Sequence, residues 1–389
     1  MSLQVESRLI DLYCPECGKR FPADAVQKYC EKCRSPILAE YDLPGVAQDL
    51  SPQAVKNRRP GIWRWGELLP VRQERFRITL GEGDTPLLSL SSSGKKTGID
   101  ALFLKDDGLN PTGSFKARGL AVAVGRALEL GISEFVIPTA GNAGGALSAY
   151  AGHAGVEAHV YMPTDAPAVN QSETRLAGAD LHLVPGLITD AARLASLDVQ
   201  KAGWFDVSTF KEPYRVEGKK TMGFELAEAF DWRLPDIIIY PTGGGTGLVG
   251  MWKAFTELES MGWITPDRPR MVVVQGEGCA PVVRAFQSGV NHVDPWENAH
   301  TIASGLRVPV VFAGRLILQA IRESHGTAEM VSDAEIRQAQ KELAHQEGIF
   351  VSPEGAATLA ALYHLVDQGW ISGDERVVLY NTGSGLKYL

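Results

Sequence analysis

The chain has 389 residues, of which 44% are hydrophobic and 22% are charged, which is enough for a large buried core and more than one lobe. Its 38 Lys and Arg against 46 Asp and Glu give a formal net charge of −8, which argues against a general attraction to nucleic acid or to anionic membranes. Because the net charge is negative, any anionic ligand must be held by a local site. No apolar run approaches the roughly 18 residues that a membrane span requires.

The cysteines are distributed in a way that favours a reducing compartment. Four of the five lie within residues 14–33, while Cys279 stands alone. A secreted protein of this size rarely uses cysteine in that pattern, and the first twelve residues lack the apolar stretch of a signal peptide. The sequence therefore predicts a cytoplasmic protein.

The first motif consists of two CxxC pairs separated by twelve residues, formed by Cys14, Cys17, Cys30 and Cys33. Each pair places two thiolates on one tight turn, and four thiolates suit tetrahedral zinc with no open coordination position. The segment is too short for an apolar core of its own, so we expect metal to supply its folding energy. Four reduced thiols without metal are the alternative interpretation.

Residues 41–77, which are rich in Pro, Arg and Trp, follow the cysteine segment. They include the sequence Trp63-Arg-Trp65. This stretch is predicted either to wrap the body as an arm, towards a partner subunit, or to pack its tryptophans at an ordinary surface.

Short apolar runs then alternate with helical patterns, which is typical of α/β architecture with mostly parallel, covered sheets. The predicted strands are 101–105, 135–138, 158–162, 181–184, 237–240, 271–275 and 377–380. The predicted helices are 116–130, 142–154, 171–178, 189–203, 217–230, 246–256, 333–346 and 356–368.

Residues 110–116, Asn-Pro-Thr-Gly-Ser-Phe-Lys, are predicted to form a tight turn that brings Lys116 to the start of a helix. A lysine beside a helix N-terminus is placed for a lowered pKa, and a neutral amine is what Schiff-base chemistry needs. A solvated surface lysine is the alternative interpretation.

Residues 241–247, Pro-Thr-Gly-Gly-Gly-Thr-Gly, join an apolar strand to a helix. Bare backbone N–H groups next to a helix N-terminus are suited to binding a phosphate. The loop has neither the Lys-Ser/Thr pair of a Walker A motif nor GxGxxG spacing. A tight connection without a ligand is the alternative.

Two further loops follow predicted strands. Residues 139–145 could hold a carboxylate through their N–H groups, and Asn142 there is either a donor to a cofactor or an ordinary helix N-cap. Residues 381–387 place Thr382 and Ser384 at the carboxyl end of the last strand, where ligands sit in open α/β sheets. A simple terminal turn is the alternative for the second loop.

Taken in this order, the segments resemble the fold-type II pyridoxal-phosphate (PLP) enzymes, and among them the threonine synthase family most closely. The resemblance spans nearly the whole chain and rests on residues 81–86, 110–116, 141–142, 217–221, 243–247, 347–350 and 382–387. A cysteine-bearing N-terminal ribbon also occurs in that family.

The resemblance implies two open, twisted, mostly parallel α/β domains and a short zinc-ribbon-like segment. The implied divisions are a ribbon at 1–45, a large PLP-binding domain at 46–111 and 219–389, and a small domain at 112–218. Lys116 matches the Schiff-base lysine that acts in catalysis. The other implied cofactor contacts are Phe115, Asn142, Gly243, Gly244, Gly245, Thr246, Gly247 and Thr382, the last at the pyridine nitrogen.

The same resemblance implies conversion of O-phospho-L-homoserine and water to L-threonine and phosphate, by γ-elimination and β-addition. The implied substrate contacts are Ser114, Thr139, Ala140, Gly141, Ala143, Ser208 and Arg215, the last two near the substrate phosphate. A homodimer is the family expectation, with no nucleic-acid or membrane partner.

Several positions depart from the family pattern. Ala117 stands where an acid usually follows the lysine, Ala143 replaces a hydroxyl residue, and the phosphate loop lacks asparagine. The glycine-rich loop resembles that of serine/threonine dehydratases. A dehydratase or a cysteate synthase-like β-replacement enzyme therefore remains an alternative, and a non-catalytic relative is a third.

Overall fold

A computed structural model describes residues 5–389, which fold into two compact units of interleaved chain segments. The first unit comprises residues 5–84, Lys116–Glu228 and Gly250–Thr265, and the second comprises Thr85–Phe115, Ala229–Val249 and Pro266–Leu389. Over the described range, we find no helix with the length and apolar character needed to cross a bilayer.

Helices and strands alternate along most of the chain, which confirms the predicted α/β class. The strands are β1 (Leu9–Tyr13), β2 (Arg20–Phe21), β3 (Leu38–Tyr41), β4 (Leu87–Ser89), β5 (Ala101–Asp106), β6 (Glu134–Pro138), β7 (Glu157–Pro163), β8 (Asp180–Val184), β9 (Phe205–Asp206), β10 (Ile237–Pro241), β11 (Arg270–Gly276), β12 (Thr327–Val331) and β13 (Arg376–Asn381). The helices are α1 (Leu43–Asp49), α2 (Pro52–Lys56), α3 (Ser91–Thr97), α4 (Lys116–Glu129), α5 (Asn142–Ala154), α6 (Ala168–Leu176), α7 (Ile188–Ala202), α8 (Arg215–Ala229), α9 (Thr246–Ser260), α10 (Pro281–Gln287), α11 (Gly314–Glu323), α12 (Asp333–Glu342) and α13 (Pro353–Asp367).

The cysteine-bearing segment forms a three-stranded antiparallel sheet in the order β2-β1-β3. Its apolar residues Leu12, Ile37 and Ala39 are at most 1% exposed and belong to the same core as Leu120 and Val124 of α4. The segment therefore shares the apolar core of the first unit, and the supply of folding energy by metal stays a prediction. Burial against the first unit contributes as well, because removal of apolar surface from water is itself stabilising.

The first unit also contains a four-stranded parallel sheet in the order β8-β7-β6-β9. Helices α5, α6 and α7 follow β6, β7 and β8 in turn, as expected for parallel strands joined by helical crossovers. The core beside it includes Phe135, Ile137, Val160 and Met162, all at most 1% exposed.

The second unit is built on a six-stranded sheet in the order β12-β11-β10-β13-β5-β4, parallel except for the β4–β5 pair. Strands β10, β11 and β13 are continuous apolar runs buried on both faces, as parallel strands covered by helices require. Strand β13 lies between β10 and β5, so the loops that follow these three strands leave the same carboxyl edge.

Each predicted strand and helix overlaps an observed one, with differences at the ends. Helix α6 begins at Ala168 instead of residue 171, and α12 ends at Glu342 before a π-helical turn, Leu343–Glu347. Trp65 is 1% exposed and packs on Phe224 with ring centroids 4.9 Å apart, so this tryptophan is not a surface residue.

Candidate functional site

The lysine turn is anchored to the loop after β13. The N–H of Phe115 donates to the carbonyl oxygen of Thr382 at 3.0 Å, and Ser114 forms an isolated bridge with Gly383. Thr112 has a left-handed φ of 64°, and its carbonyl oxygen accepts from Nζ of Lys387 at 2.9 Å. These bonds fix the backbone directly before Lys116, which is the first residue of α4, as the sequence predicted.

The side chains beside Lys116 differ in their surroundings. Phe115 packs edge-on against Tyr240 with ring centroids 6.4 Å apart. Ser114 is fully buried, and its hydroxyl has no hydrogen-bond partner among residues 5–389. A buried hydroxyl without a partner is uncommon, which is consistent with a polar ligand at this point.

The glycine loop begins at the end of β10 and ends in α9. A Cβ at Gly243 would overlap the carbonyl oxygen of Gly305, and a Cβ at Gly245 would overlap Cδ1 of Ile317. Gly245 also has a φ of +78°, which favours glycine. Packing against a backbone atom therefore requires glycine at position 243, and the backbone conformation favours it at position 245.

The backbone N–H groups of Gly243, Gly244 and Gly245 have no acceptor within the part of the chain that the structure describes. Consecutive N–H groups at the start of a 15-residue helix form an anion-binding cradle. The loop therefore offers donors that fit a phosphate group, and its role in binding one stays a prediction.

Thr382, predicted to meet a ring nitrogen, is 6% exposed and directly follows β13. The preceding Asn381 fixes this loop, since its Nδ2 donates to Oδ1 of Asp106 at 2.7 Å. The glycine loop, Thr382 and the lysine turn follow β10, β13 and β5, three neighbouring strands of one sheet. This carboxyl edge is where open α/β sheets bind ligands.

The loop after β6 carries the residues predicted to bind a substrate carboxylate. The N–H of Gly141 donates to Oγ1 of Thr139 at 3.1 Å, and Gly141 has a φ of 149°. Gly141 occupies the N-cap of α5, whereas Asn142 is the first helical residue and is half-buried. The N-cap interpretation of Asn142 is therefore wrong, and its cofactor role stays a prediction.

Asn170 was not identified from the sequence. It is 1% exposed, and neither polar atom of its amide has a hydrogen-bond partner among the described residues. A Cβ at Gly141 would overlap its Nδ2, so the amide lies directly against the predicted carboxylate loop. The apolar spacing predicts a helix only from residue 171, so the sequence gives no signal at this position.

Arg215 has the arrangement expected of an anion ligand. It is 1% exposed, its Nη1 donates to the carbonyl oxygen of Val207 at 2.6 Å, and its Nε and Nη2 have no acceptor among residues 5–389. Burial lowers the pKa of this guanidinium. Two buried parallel donors match the geometry of a phosphate or carboxylate.

Two acids lie near Arg215. The carboxylate of Glu212 accepts from the N–H of Tyr214 at 2.6 Å and from the N–H of Arg215 at 3.1 Å, and burial raises its pKa to about 7. The hydroxyl and N–H of Ser208 both donate to Oδ1 of Asp206. The proton of the Ser208 hydroxyl is thus already used, which makes Ser208 a weaker candidate for binding a phosphate than Arg215.

The four N-terminal cysteines converge as predicted. Their Sγ atoms all lie within 4.8 Å of one another, and those of Cys17 and Cys30 are 3.9 Å apart. A tetrahedron with Zn–S bonds of about 2.3 Å separates its sulfurs by roughly 3.8 Å. The donor set and the spacing both fit a structural zinc ion.

Residues 78–383 match the family described as "Pyridoxal-phosphate dependent enzyme". The chain is 39% identical over 377 residues to a threonine synthase of Methanosarcina acetivorans, covering 97% of this chain and 92% of that protein. It is 36% identical over 375 residues to a threonine synthase of Methanocaldococcus jannaschii, covering 96% and 92%. Among solved structures, maize serine racemase covers 77% of this chain and 88% of its own, with a TM-score of 0.67. Its identity of 24% shows a shared fold alone.

Proposed function

The chain belongs to the family of pyridoxal-phosphate-dependent enzymes, and from that premise we propose that it is a threonine synthase. It would convert O-phospho-L-homoserine and water to L-threonine and inorganic phosphate. The observation that best supports this substrate is the buried guanidinium of Arg215, whose Nε and Nη2 are open to an anion. Two relatives named threonine synthase, each aligned over 92% of its length, support the same assignment.

The residues present fit the cofactor. The open N–H groups of Gly243, Gly244 and Gly245 would bind its phosphate, and the Lys116 amine would bind its aldehyde. Thr382 would place a neutral hydroxyl at the ring nitrogen, and Asn142 would donate to the phenolic oxygen. A hydroxyl, unlike a carboxylate, does not hold that nitrogen protonated.

Bound pyridoxal phosphate supplies an electron sink for negative charge that develops on the substrate carbons. Once free, Nζ of Lys116 takes the proton from Cα and then one from Cβ, after which phosphate leaves Cγ. Protons return to Cγ and Cα, a water molecule delivers hydroxide to Cβ, and the remaining proton of that water goes to the released phosphate. Lys116 is the one residue to which we assign these proton transfers.

The remaining substrate contacts follow from the charges of the substrate. Arg215 would hold the phosphate through two charge-assisted hydrogen bonds, which also orients the Cγ–O bond that breaks. The loop of Thr139, Ala140, Gly141 and Ala143 would hold the α-carboxylate, and the unpartnered hydroxyl of Ser114 would meet the substrate nearby. We give Ser208 a secondary place, because Asp206 already accepts its proton.

The test is a substrate panel on the cofactor-loaded protein. Phosphate and threonine are measured from O-phosphohomoserine, phosphate from O-phosphoserine, and keto acid from threonine and serine. Equal amounts of phosphate and threonine from O-phosphohomoserine are expected. Rapid keto-acid release from threonine, with no phosphate from O-phosphohomoserine, would instead identify a dehydratase.

The Lys116→Ala variant tests the catalytic assignment. We expect it to retain the cofactor, lose the visible absorbance of the lysine-bound form, and turn over at least ~100-fold more slowly. Lys95→Ala, at an exposed lysine of α3, is the matched control and is expected to behave as wild type. Wild-type turnover by Lys116→Ala would overturn the mechanism.

Three further properties stand as proposals of the same kind. The sulfur spacing supports zinc at the four cysteines. The reduced cysteines support a cytoplasmic location, and the family expectation supports a homodimer. The domain division at 1–45, 112–218 and the remainder also stays a proposal. Metal analysis, cell fractionation, light scattering and limited proteolysis are the corresponding measurements.

A further inference from the structure

Strands β7 and β8 of the first unit bring a group of histidine, carboxylate and aromatic side chains together. In the parallel register, His159 pairs with Asp180 and Tyr161 pairs with His182. Residues two apart on a strand point to the same face, and paired residues on neighbouring strands share that face. All four side chains therefore lie on one face of the four-stranded sheet.

Three of these residues have the spacing of metal ligands. Oδ2 of Asp180 lies 3.0 Å from Nε2 of His182 and 3.5 Å from Nδ1 of His159. A tetrahedral ion with bonds of about 2.0–2.1 Å to nitrogen and oxygen separates its ligand atoms by roughly 3.4 Å. One ligand atom from each of the three residues lies within 4.8 Å of the other two.

The imidazoles lack ordinary partners. Both ring nitrogens of His159 and Nε2 of His182 are buried, and no described residue makes a hydrogen bond with any of them. The 3.0 Å approach of Asp180 to His182 lacks the alignment of a hydrogen bond. Buried polar atoms without partners are costly, and a bound cation would satisfy them.

Both rings are held in place by stacking. Trp204 lies parallel to His159, with centroids 3.6 Å apart and planes inclined by 9°. Tyr161 lies on His182 at 4.3 Å and 13°, and its hydroxyl donates to Asp198. Ligands that are already ordered lose little conformational entropy when the ion binds.

The charge around this group favours a cation. Besides Asp180, the carboxylate of Glu157 lies 4.0 Å from Nε2 of His159, and Asp198 is bound to Tyr161. The nearby Lys201 faces Asp198 at 3.8 Å. Asp180 is 60% exposed in its side chain, which leaves a route for an ion and a fourth position for water.

We propose that His159, Asp180 and His182 form a binding site for one divalent first-row transition ion, with zinc as the reference ion. Two imidazoles and a carboxylate are ligands that suit zinc, nickel and copper and that bind calcium and magnesium poorly. The ion would tie β7 to β8 and so stabilise this sheet. This site is independent of the proposed threonine synthase activity and of the cysteine cluster.

The test counts zinc in the full-length, cofactor-loaded protein by equilibrium dialysis and elemental mass spectrometry. His182→Phe and His159→Phe each remove a ligand but keep an aromatic ring for the stack on Tyr161 or Trp204. His292→Ala is the matched control, because His292 is exposed and also lies beside a carboxylate, that of Asp294, at 3.5 Å.

At zinc concentrations that fill the wild-type site, wild type and His292→Ala are expected to hold one zinc equivalent more than either phenylalanine variant. The affinity of the site should be at least ~10-fold lower in the phenylalanine variants. Zinc should also raise the melting temperature of wild type more than that of His182→Phe. Since the cysteines are the same in all four proteins, zinc held there does not contribute to the difference. Equal zinc content in wild type and both phenylalanine variants would overturn the proposal.

Discussion

The backbone N–H of Phe115 donates a 3.0 Å hydrogen bond to the carbonyl oxygen of Thr382. One bond thus joins the residue before the predicted Schiff-base lysine to the residue predicted to meet the cofactor ring. Because the bond uses backbone atoms, it sets the two positions whatever side chains they carry. The backbone position of Phe115 is therefore a property of the second unit's sheet edge.

Replacing Gly245 by alanine tests the phosphate cradle. The new methyl group would overlap the end of the Ile317 side chain, and a φ of +78° is unfavourable for alanine. We therefore expect the loop to shift and its N–H groups to lose their alignment. We expect the cofactor to bind at least ~10-fold more weakly, measured by absorbance during dialysis against a cofactor-free buffer.

The control for that variant is Gly262→Ala, just after α9. Gly262 has a φ of +70°, with no atom within 4 Å of an added Cβ, so it shares the backbone strain without the overlap. Equal cofactor loss from both variants would show that strain alone explains the effect.

Replacing Arg215 by lysine tests the phosphate ligand. Lysine keeps the charge but loses the paired donors, so we expect kcat/KM for O-phosphohomoserine to fall roughly 10-fold or more with cofactor binding unchanged. Arg175→Lys, at an exposed position of α6, should match wild type in steady-state kinetics. An equal loss on substrates without a phosphate would argue for a structural role of Arg215 instead.

Glu212 gives a prediction about pH. Burial raises its pKa from an ordinary value near 4.5 to about 7, so the unfolded chain loses this proton first as pH rises. Glu212 then reduces stability progressively between about pH 4.5 and 7, by an amount on the order of 3 kcal/mol. Glu212→Gln removes that loss.

Urea unfolding of wild type and Glu212→Gln at several pH values is the measurement. The free energy of unfolding of the variant should rise relative to that of wild type between pH 5 and 7. The difference should level off above pH 8. Glu134→Gln, at an exposed glutamate, is not expected to gain in this way. A difference that does not change with pH would contradict the prediction.

Tyr41 gives a prediction about the ribbon. Its hydroxyl donates to Oε2 of Glu217 at 3.0 Å, and this carboxylate also pairs with Lys220 at 2.8 Å and Lys253 at 3.0 Å. We expect Tyr41→Phe to reduce stability by about 1.5–3 kcal/mol, since a buried bond to a charged group is lost. Thermal unfolding is the measurement.

Tyr13→Phe is the comparison variant from the same sheet, because no hydrogen bond of the Tyr13 hydroxyl is found over residues 5–389. It should unfold close to wild type. If the two variants unfold at the same temperature, the link between Tyr41 and Glu217 contributes nothing measurable.

Local sequence patterns were sufficient to predict most helices and strands, and also the lysine turn and the glycine loop. Helix α4 was predicted from apolar spacing and from Gly131 after its end, and the glycine loop from its place between an apolar strand and a helix. Strands β1, β2, β3, β4, β9 and β12 and helices α1, α2, α3, α10 and α11 were missed. Helices α10 and α11 flank residues 288–313, a stretch rich in polar and turn-forming residues, and β12 is a short edge strand with half-buried positions.

The unpartnered groups could not have been predicted from the sequence. That Arg215 has two open donors, and that Asn170 lies against Gly141, depends on residues distant in the chain. Propensity and periodicity describe neighbours along the chain and carry no information about such contacts. The pairing of His159 with Asp180 has the same origin, since it needs the register of two strands.

Strand β13 follows the other five strands of its sheet in the chain, yet it lies between β10 and β5. During translation, β5 and β10 are synthesised before the strand that pairs with both of them. More than a hundred further residues are added before β13 is complete. Until then their apolar edges are open to pairing with other nascent chains. Demand for chaperones should consequently be concentrated late in the synthesis of this protein.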